Sequence, residues 1–451
     1  MPEGQKPWSK SSWRSFSARQ QPEWSSPERG KIAFDRLAKL PALVFAGETR
    51  ALKEQLKEAA AGRAFVLQAG DCAETFSRCH GPYIHDLLKV ILQMAVVLAF
   101  AGEKKIVTIG RLAGQYAKPR SEDKETVNGK VIFSYRGDMV NSIEPTPTAR
   151  THTPERMIEG YFCSAATLNL VRAFTKGGYA SLNYVDSWNQ ASFGQFHVNP
   201  DYKKLCADIQ KAVNFMTAIG IKPDAAELNE FSLYTSHEAL LLEYEEALTR
   251  IDTLTGNCYD TSAHMLWIGE RTRQPEGAHV EFARGIGNPI GVKIGPNYCC
   301  DDIKRLIDLL NPENEPGRLS LITRFGADKI GDMLPPLLDA IEQEGKKVVW
   351  ICDPMHGNTY VNEQGRKTRD FDVITDEVRK FFLAHQNAGT IASGIHLELS
   401  GTNVSECSGG KCTQADNGLA ESYQSACDPR LSAEQGIELA FAIARMLHAR
   451  R

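Results

Sequence analysis

Apolar and polar positions fall into two alternating signatures along most of this chain. Short apolar runs halted by glycine or a charged residue read as buried strands at 64–72, 105–111, 264–272, 289–295, 319–324, 348–357 and 394–401. Stretches with a helical apolar period lie among them, at 48–62, 84–100, 301–311, 327–344, 371–386 and 433–449. An eighth strand is placed in 225–236, the least patterned of the set. Strands that are apolar on both faces and alternate with helices argue for a parallel sheet covered by helices. Residues 122–224 are too many for one crossover and are read as a largely helical insertion, with its clearest helices at 156–175 and 203–219. Residues 1–30 keep no steady period and read as an irregular arm. The expected organisation is an N-terminal arm with helices over 1–63 and a catalytic unit over 64–451, one domain overall.

The strand ends choose between the two common parallel architectures. Seven of them close in reactive or ionisable residues: Cys72, Arg111, Glu270 with Arg271, Lys293, Arg324, His356 and Glu398. A doubly wound sheet brings only two or three strand ends to its crevice. A (β/α)8 TIM barrel brings all of them to one mouth. The expected fold is therefore an α/β barrel with an N-terminal extension and a helical insertion after the second strand.

Composition narrows the chemistry. A net charge of −4 over 451 residues gives no bulk field for nucleic acid or an acidic membrane, so neither is expected as a partner. The apolar run at 91–100 is too short to span a bilayer, and the N-terminus shows no apolar signal core. The 11 cysteines follow no repeated spacing, which reads as a reduced, cytoplasmic chain without a structural zinc motif. The adjacent Cys299 and Cys300 find no explanation in the pattern.

Two groups of residues carry candidate chemistry. Cys72, His356, Glu398 and Asp428 offer one thiolate, one imidazole and two carboxylates, a plausible divalent-metal set once gathered at one barrel mouth. Taken singly, a cysteine after a strand is more often a small buried hydrophobe, and a loop histidine is as often a hydrogen-bonding residue. Arg111, Lys118, Arg120, Arg271, Lys293 and Arg324 supply forks and point charges suited to phosphate and carboxylate. Most arginines and lysines are solvated surface charge. Lys293 and Arg324, however, cap apolar strands, where an unpaired charge is costly. LysProArgSer (118–121) joins two cations, a stiffening proline and a hydroxyl, a good cradle for an anion. In GlyGluArgThrArg (269–273), Glu270 either orients Arg271, holds a water or makes an ordinary ion pair.

Longer blocks contain these residues. They are GlnAlaGlyAspCysAlaGlu (68–74), GlyArgLeuAlaGlyGlnTyrAlaLysProArgSer (110–121), GlyGluArgThrArgGln (269–274), GlyValLysIleGlyPro (291–296), CysAspProMetHisGlyAsnThr (352–359), GlyIleHisLeuGluLeuSerGlyThrAsnValSerGluCys (394–407) and CysAspProArgLeu (427–431). In this order the chain resembles the type II 3-deoxy-D-arabino-heptulosonate-7-phosphate (DAHP) synthases over nearly its whole length. The resemblance implies a metal-dependent barrel enzyme that condenses phosphoenolpyruvate with erythrose 4-phosphate at the head of the shikimate pathway. It implies that Cys72, His356, Glu398 and Asp428 bind a divalent ion, manganese or cobalt. It assigns Arg111, Glu270, Arg271, Lys293 and Arg324 to phosphoenolpyruvate, and Lys118, Pro119, Arg120 and Ser121 to erythrose 4-phosphate. Lys118 is read as the proton donor, with Glu270 beside it in the catalytic set. The resemblance also implies a homo-oligomer, feedback by an aromatic amino acid, and in some relatives a chorismate mutase partner. Ala69 stands where many relatives carry glycine, a change expected to be tolerated. If the metal set gathers, Cys72 and Cys427 should be neighbours that oxidation could link. Three other readings compete: a synthase for another aldose phosphate such as arabinose 5-phosphate, a non-catalytic metal- and sugar-phosphate-binding regulator, and a cysteine-nucleophile hydrolase.

Overall fold

Eight strands close into a parallel barrel in which each pairs with its predecessor and successor in the chain: β1 (Ala64–Gly70), β2 (Lys105–Arg111), β3 (Leu233–Glu238), β4 (Met265–Ile268), β5 (Ile290–Ile294), β6 (Leu319–Thr323), β7 (Val349–Cys352) and β8 (Gly394–Glu398). The structure is a computed structural model, and it describes residues 7–127, 129–177, 179–182, 200–219, 231–410 and 422–448. All eight expected strands are present.

Period-two alternation explains why these runs look apolar throughout. Phe65, Leu67 and Ala69 of β1 face outward into the layer shared with the helices. Ala64 and Val66 face inward, where they meet Val107, Ile109, Met265, Trp267, Ile322, Val349 and Ile351. Both faces are covered, so both alternating sets must be apolar. Leu52, Leu56 and Ala59 of the helix Ala46–Ala60 join the inner cluster, so this helix plugs the end of the barrel opposite the mouth. Each such buried leucine contributes about 1.5–3 kcal/mol.

Strand ends follow local chemistry. β4 stops at Ile268 because Gly269 begins a turn, and β7 stops at Cys352 because Asp353 and Pro354 leave the ladder. The sequence reading ran both strands several residues too far. The helix Pro27–Leu37 was missed although Ser26 caps it, accepting from the Arg29 N–H, and Pro27 opens it. Two seven-residue helices, Leu242–Leu248 and Ala278–Arg284, are too short to show a period.

The segment between β2 and β3 carries the helices Arg156–Lys176 and Pro200–Ala218. It also holds a hairpin, Lys124–Val127 with Lys130–Phe133, that the sequence reading did not foresee. Only Ile132 of its strand residues is buried, which erases the apolar run that reveals a buried strand. The expected strand region 225–236 lies partly outside the described residues. Helix Gly81–Ala101 is long and apolar enough to cross a membrane, but most of it is buried, and it packs beside the last helix, Ala433–His448.

Candidate active site

Register brings the ends of three strands together. Gly70 lies opposite Arg111 on one side and Glu398 on the other. A Cβ at Gly70 would fall 2.5 Å from the Arg111 carbonyl oxygen, and φ is +154° there, so only glycine lets β1 and β2 approach this closely before the chain turns to Cys72. Inside the barrel a polar layer sits above the apolar one. The Gln68 amide donates to Ser236 Oγ at 2.9 Å, and its oxygen lies 2.8 Å from His396 Nδ1. His396 Nε2 faces the Arg111 guanidinium, and burial, with Lys293 and Arg111 nearby, holds this imidazole well below its ordinary pKa. This layer is the foundation of the mouth.

Glu398 is the hub above it. Its Oε1 lies 3.0 Å from Arg111 Nη2, 3.2 Å from His356 Nε2 and 3.4 Å from Lys118 Nζ, while Arg369 Nη1 reaches Oε2 at 2.9 Å. Burial alone would push this carboxyl up; His356, Lys118 and Arg369 hold it well below the usual range. Asp428 sits beside it, 3.5 Å from Lys118 and 2.9 Å from Lys367. Burial opposes its ionisation too, and Lys118 with His356 overcomes that. His356 is oriented from behind, with Nδ1 2.7 Å from Asp353 Oδ2, which leaves Nε2 facing the carboxylates. An outer carboxylate that fixes the imidazole in this way is the usual support of a metal-ligating histidine.

His356, Glu398 and Asp428 offer donor atoms that all lie within 4.8 Å of one another, one such group among the described residues. One imidazole nitrogen and two carboxylates suit a first-row divalent ion, and the residues present fit one. Lys118 now neutralises the two carboxylates a divalent ion would engage. Cys72 is buried next to this group but outside it, its Sγ 3.2 Å from Ser425 Oγ. Burial pushes its thiol up, against the neighbouring Lys118 ammonium. Ser425 Oγ also accepts the Cys427 N–H at 3.2 Å and donates to the Asp428 carbonyl at 2.5 Å, so one hydroxyl ties both cysteines and Asp428 into one corner.

The mouth opens into a cleft lined by Arg111, Lys118, Pro119, Glu270, Arg271, Lys293, Arg324, His356 and Asp428, with Gln115, Glu238, Trp267 and Gly269. Trp267 is its floor and faces two of the cations, Arg111 at 5.0 Å and Lys293 at 5.9 Å from the ring centre. Lys293 pairs with Asp353; even so, burial and the nearby Arg111 draw its ammonium down to about 8. Arg324 Nη2 donates to the His356 carbonyl at 3.3 Å. The cleft thus joins a nitrogen–oxygen donor group to a bed of cations, as an enzyme of polyanionic substrates requires.

The whole chain points the same way. Residues 8–444 match the profile of the class-II DAHP synthetase family. This chain belongs to that family. Within it, the chain is 48% identical over 434 residues to a phospho-2-dehydro-3-deoxyheptonate aldolase of Streptomyces coelicolor, covering 96% of each chain. It is 45% identical over 433 residues to the phospho-2-dehydro-3-deoxyheptonate aldolase AroG of Mycolicibacterium smegmatis, covering 95% of this chain and 92% of that one. Among solved structures, a Thermotoga maritima DAHP synthase is 15% identical, with a TM-score of 0.36 over 86% of this chain and 70% of that one. The fold assignment rests on the closed barrel itself.

Of the sequence-picked residues of this family member, Arg111, Lys118, Pro119, Glu270, Arg271, Lys293, Arg324, His356 and Asp428 line the cleft, Glu398 joins them through the donor group, and Cys72 lies beside that group. Arg120 and Ser121 are not among the lining residues of the cleft: Arg120 faces Glu125 at 3.9 Å, and Ser121 Oγ accepts from Arg271 at 2.8 Å. Both Glu270 oxygens are engaged, one by Arg273 at 2.9 Å and one by the Gly295 N–H at 2.6 Å. The carboxylate with an unpaired oxygen in the cleft is Glu238, kept above its ordinary pKa by burial, and a Cβ at Gly269 would strike that oxygen. Sequence reasoning missed Glu238 because β3 was the least defined strand. It also passed over Trp267, Asp353, Arg369 and His396. Asp353 stands three residues before His356, and His396 two before Glu398 on the same strand face, spacings that could have marked both.

Proposed function

We propose that this chain is a DAHP synthase, joining phosphoenolpyruvate, erythrose 4-phosphate and water to give DAHP and phosphate, the opening step of the shikimate pathway. The observation that carries the reading is one cleft in which His356, Glu398 and Asp428 converge next to Arg111, Lys118, Lys293 and Arg324. His356, Glu398 and Asp428, with Cys72 at hand, would hold a divalent ion such as manganese or cobalt, which would supply Lewis-acid polarisation of the aldehyde. Arg111, Arg271, Lys293 and Arg324 hold the carboxylate and phosphate of phosphoenolpyruvate above Trp267. C3 of the enol phosphate attacks the aldehyde carbon, and Lys118, in reach of the cleft, protonates the new alkoxide. Water captures C2, oriented by the free oxygen of Glu238 or by Glu270, and the hemiketal phosphate then expels phosphate. Holding two repelling anions in line is mainly a positioning task for the cations.

The test is phosphate release from the two substrates before and after exhaustive chelation. Turnover should vanish with the chelator and return with manganese. Full activity in the chelated protein would remove the metal from the scheme, and no activity under any metal would end the reading.

Two further outcomes probe the substrate clamps. The free-enzyme kcat/KM for phosphoenolpyruvate should fall about five- to sixfold from pH 8 to pH 9, because Lys293 carries its charge below about 8 and loses it above. A Lys293→Arg variant, charged throughout, should show no such fall; an identical profile in both would assign the loss elsewhere. Gln20 holds the erythrose 4-phosphate loop from the N-terminal arm. Its amide donates to the Arg120 carbonyl at 3.0 Å and accepts the Arg120 N–H at 2.9 Å. Its own carbonyl accepts from Arg136 at 3.3 Å, and the Arg136 carbonyl takes the Lys118 N–H at 2.9 Å. Gln20→Ala forfeits about 1–2 kcal/mol of this, so KM for erythrose 4-phosphate should rise roughly 5- to 30-fold with KM for phosphoenolpyruvate unmoved. Equal rises in both constants would show a general loosening instead.

A cytoplasmic location, a homo-oligomer, a chorismate mutase partner and feedback by aromatic amino acids extend the reading. Family membership supports them, and for feedback so do the arm and the insertion.

A further inference from the structure

Outside the cleft, two thiols meet that the reaction does not use. Cys79 follows the turn Phe76–Arg78, and Cys163 lies in the insertion helix Arg156–Lys176. Cys79 Sγ lies 3.4 Å from the Cys163 carbonyl oxygen and 3.8 Å from Thr167 Oγ1, one helical turn further on. The Cys79 thiol is therefore held against the helical turn that carries Cys163. Both are half-buried and free, and both line an open groove with Ile158, Phe162 and Arg36, so a small molecule can reach them from solvent. Cys206, Cys352 and Cys407, by contrast, are sealed in the interior. The adjoining Cys163 and Thr167 side chains favour the thiolate on Cys79, which is the nucleophilic form.

We propose that Cys79 and Cys163 form a thiol–disulfide exchange site for low-molecular-weight disulfides. The Cys79 thiolate attacks one sulfur of the incoming disulfide, whose S–S bond breaks and releases one thiol. Cys163 then attacks the Cys79 sulfur of the mixed disulfide and releases the second thiol. The two protein thiols are oxidised to one disulfide, the incoming disulfide is reduced to two thiols, and these carry away the two protons.

The site is wired toward the barrel mouth. Arg78, next to Cys79, pairs with Asp71 at 3.0 Å. Asp71 in turn accepts the Cys72 N–H at 2.8 Å and pairs with Arg430 at 3.2 Å. A bridge would pin this loop to the insertion. The inference stands whether or not the chain is a DAHP synthase.

The test uses the full chain and hydroxyethyl disulfide, followed by alkylation of the remaining thiols, digestion without reduction and mass spectrometry. The wild type should yield a Cys79–Cys163 linked peptide. Cys163→Ser should accumulate the hydroxyethyl adduct on Cys79 at least tenfold faster than on the exposed Cys299. Cys79→Ser should leave Cys163 unmodified over the same time. A wild type with no Cys79–Cys163 peptide, or a Cys79 in the Cys163→Ser variant that reacts no faster than Cys299, overturns the proposal. Unchanged thermal midpoints in both serine variants confirm that folded protein was tested.

Discussion

Lys118→Met is expected to lower turnover by about 10²–10⁴-fold, the usual worth of a positioned proton donor, while manganese affinity holds or tightens. The second half follows from geometry. Lys118 Nζ lies 3.4 Å from Glu398 and 3.5 Å from Asp428, so its ammonium competes with an incoming ion for the same two carboxylates. Removing it takes away a competitor and leaves the donors in place. A chemical role and an assembly role therefore part company: the first loses rate and keeps the ion, the second loses both together. Stopped-flow turnover and a manganese titration on one preparation decide between them. Turnover within about threefold of wild type would dispose of Lys118 as the acid.

The largest structural effect is expected from Glu398→Gln. Four cationic or imidazole groups converge on this fully buried carboxylate, and two of them, Arg111 and Arg369, are themselves almost wholly buried. Replacing the charge with an amide leaves buried guanidiniums without their anion, and breaking a buried pair from one side costs about 3–5 kcal/mol. Arg111 keeps its bonds to the Asp71 and Cys72 carbonyls, at 3.1 and 3.3 Å, which sets the loss toward the lower end. The urea midpoint of the metal-free protein should fall while the denaturant slope stays constant, and manganese binding should weaken in parallel. Glu398→Asp, which keeps the charge on a shorter arm, should recover part of the stability. A Gln variant within about 1 kcal/mol of wild type would show that the hub does not organise the mouth.

The barrel was legible because its physics is repetitive. Strands buried on both faces must be apolar at every position, and glycine, proline or charge must stop them. Hence β2, β5 and β6 could be read almost to the residue, and β1 and β8 with overruns of two and three residues. The hairpin at Lys124–Phe133 could not, because exposed strands owe their residues to solvent rather than to a core. Site residues were legible as strand ends, since chemistry at the mouth needs a side chain just where the ladder stops. Their mutual arrangement was not. Nothing local tells that Asp428, in a loop 30 positions past β8, returns to Glu398, or that Ser425 rather than the metal group takes the Cys72 sulfur as its near neighbour. Arg369 sits in LysThrArgAsp (367–370), which reads as an ordinary polar turn, yet it is wholly buried against Glu398. Arg120 and Ser121 follow Lys118 in the sequence, and in the structure they face Glu125 and Arg271 rather than joining Lys118 in the lining of the cleft.

The order in which the mouth is supplied has a consequence for biosynthesis. Cys72, Arg111 and Lys118 leave the ribosome early, whereas His356, Glu398 and Asp428 belong to the last quarter of the chain. At about 5–20 residues per second, roughly 20–70 s separate Cys72 from Asp428. Through that interval the nascent protein holds the cations without the carboxylates that neutralise them. No ion can template the growing half-barrel; it can only lock one whose final strand has already docked beside the first.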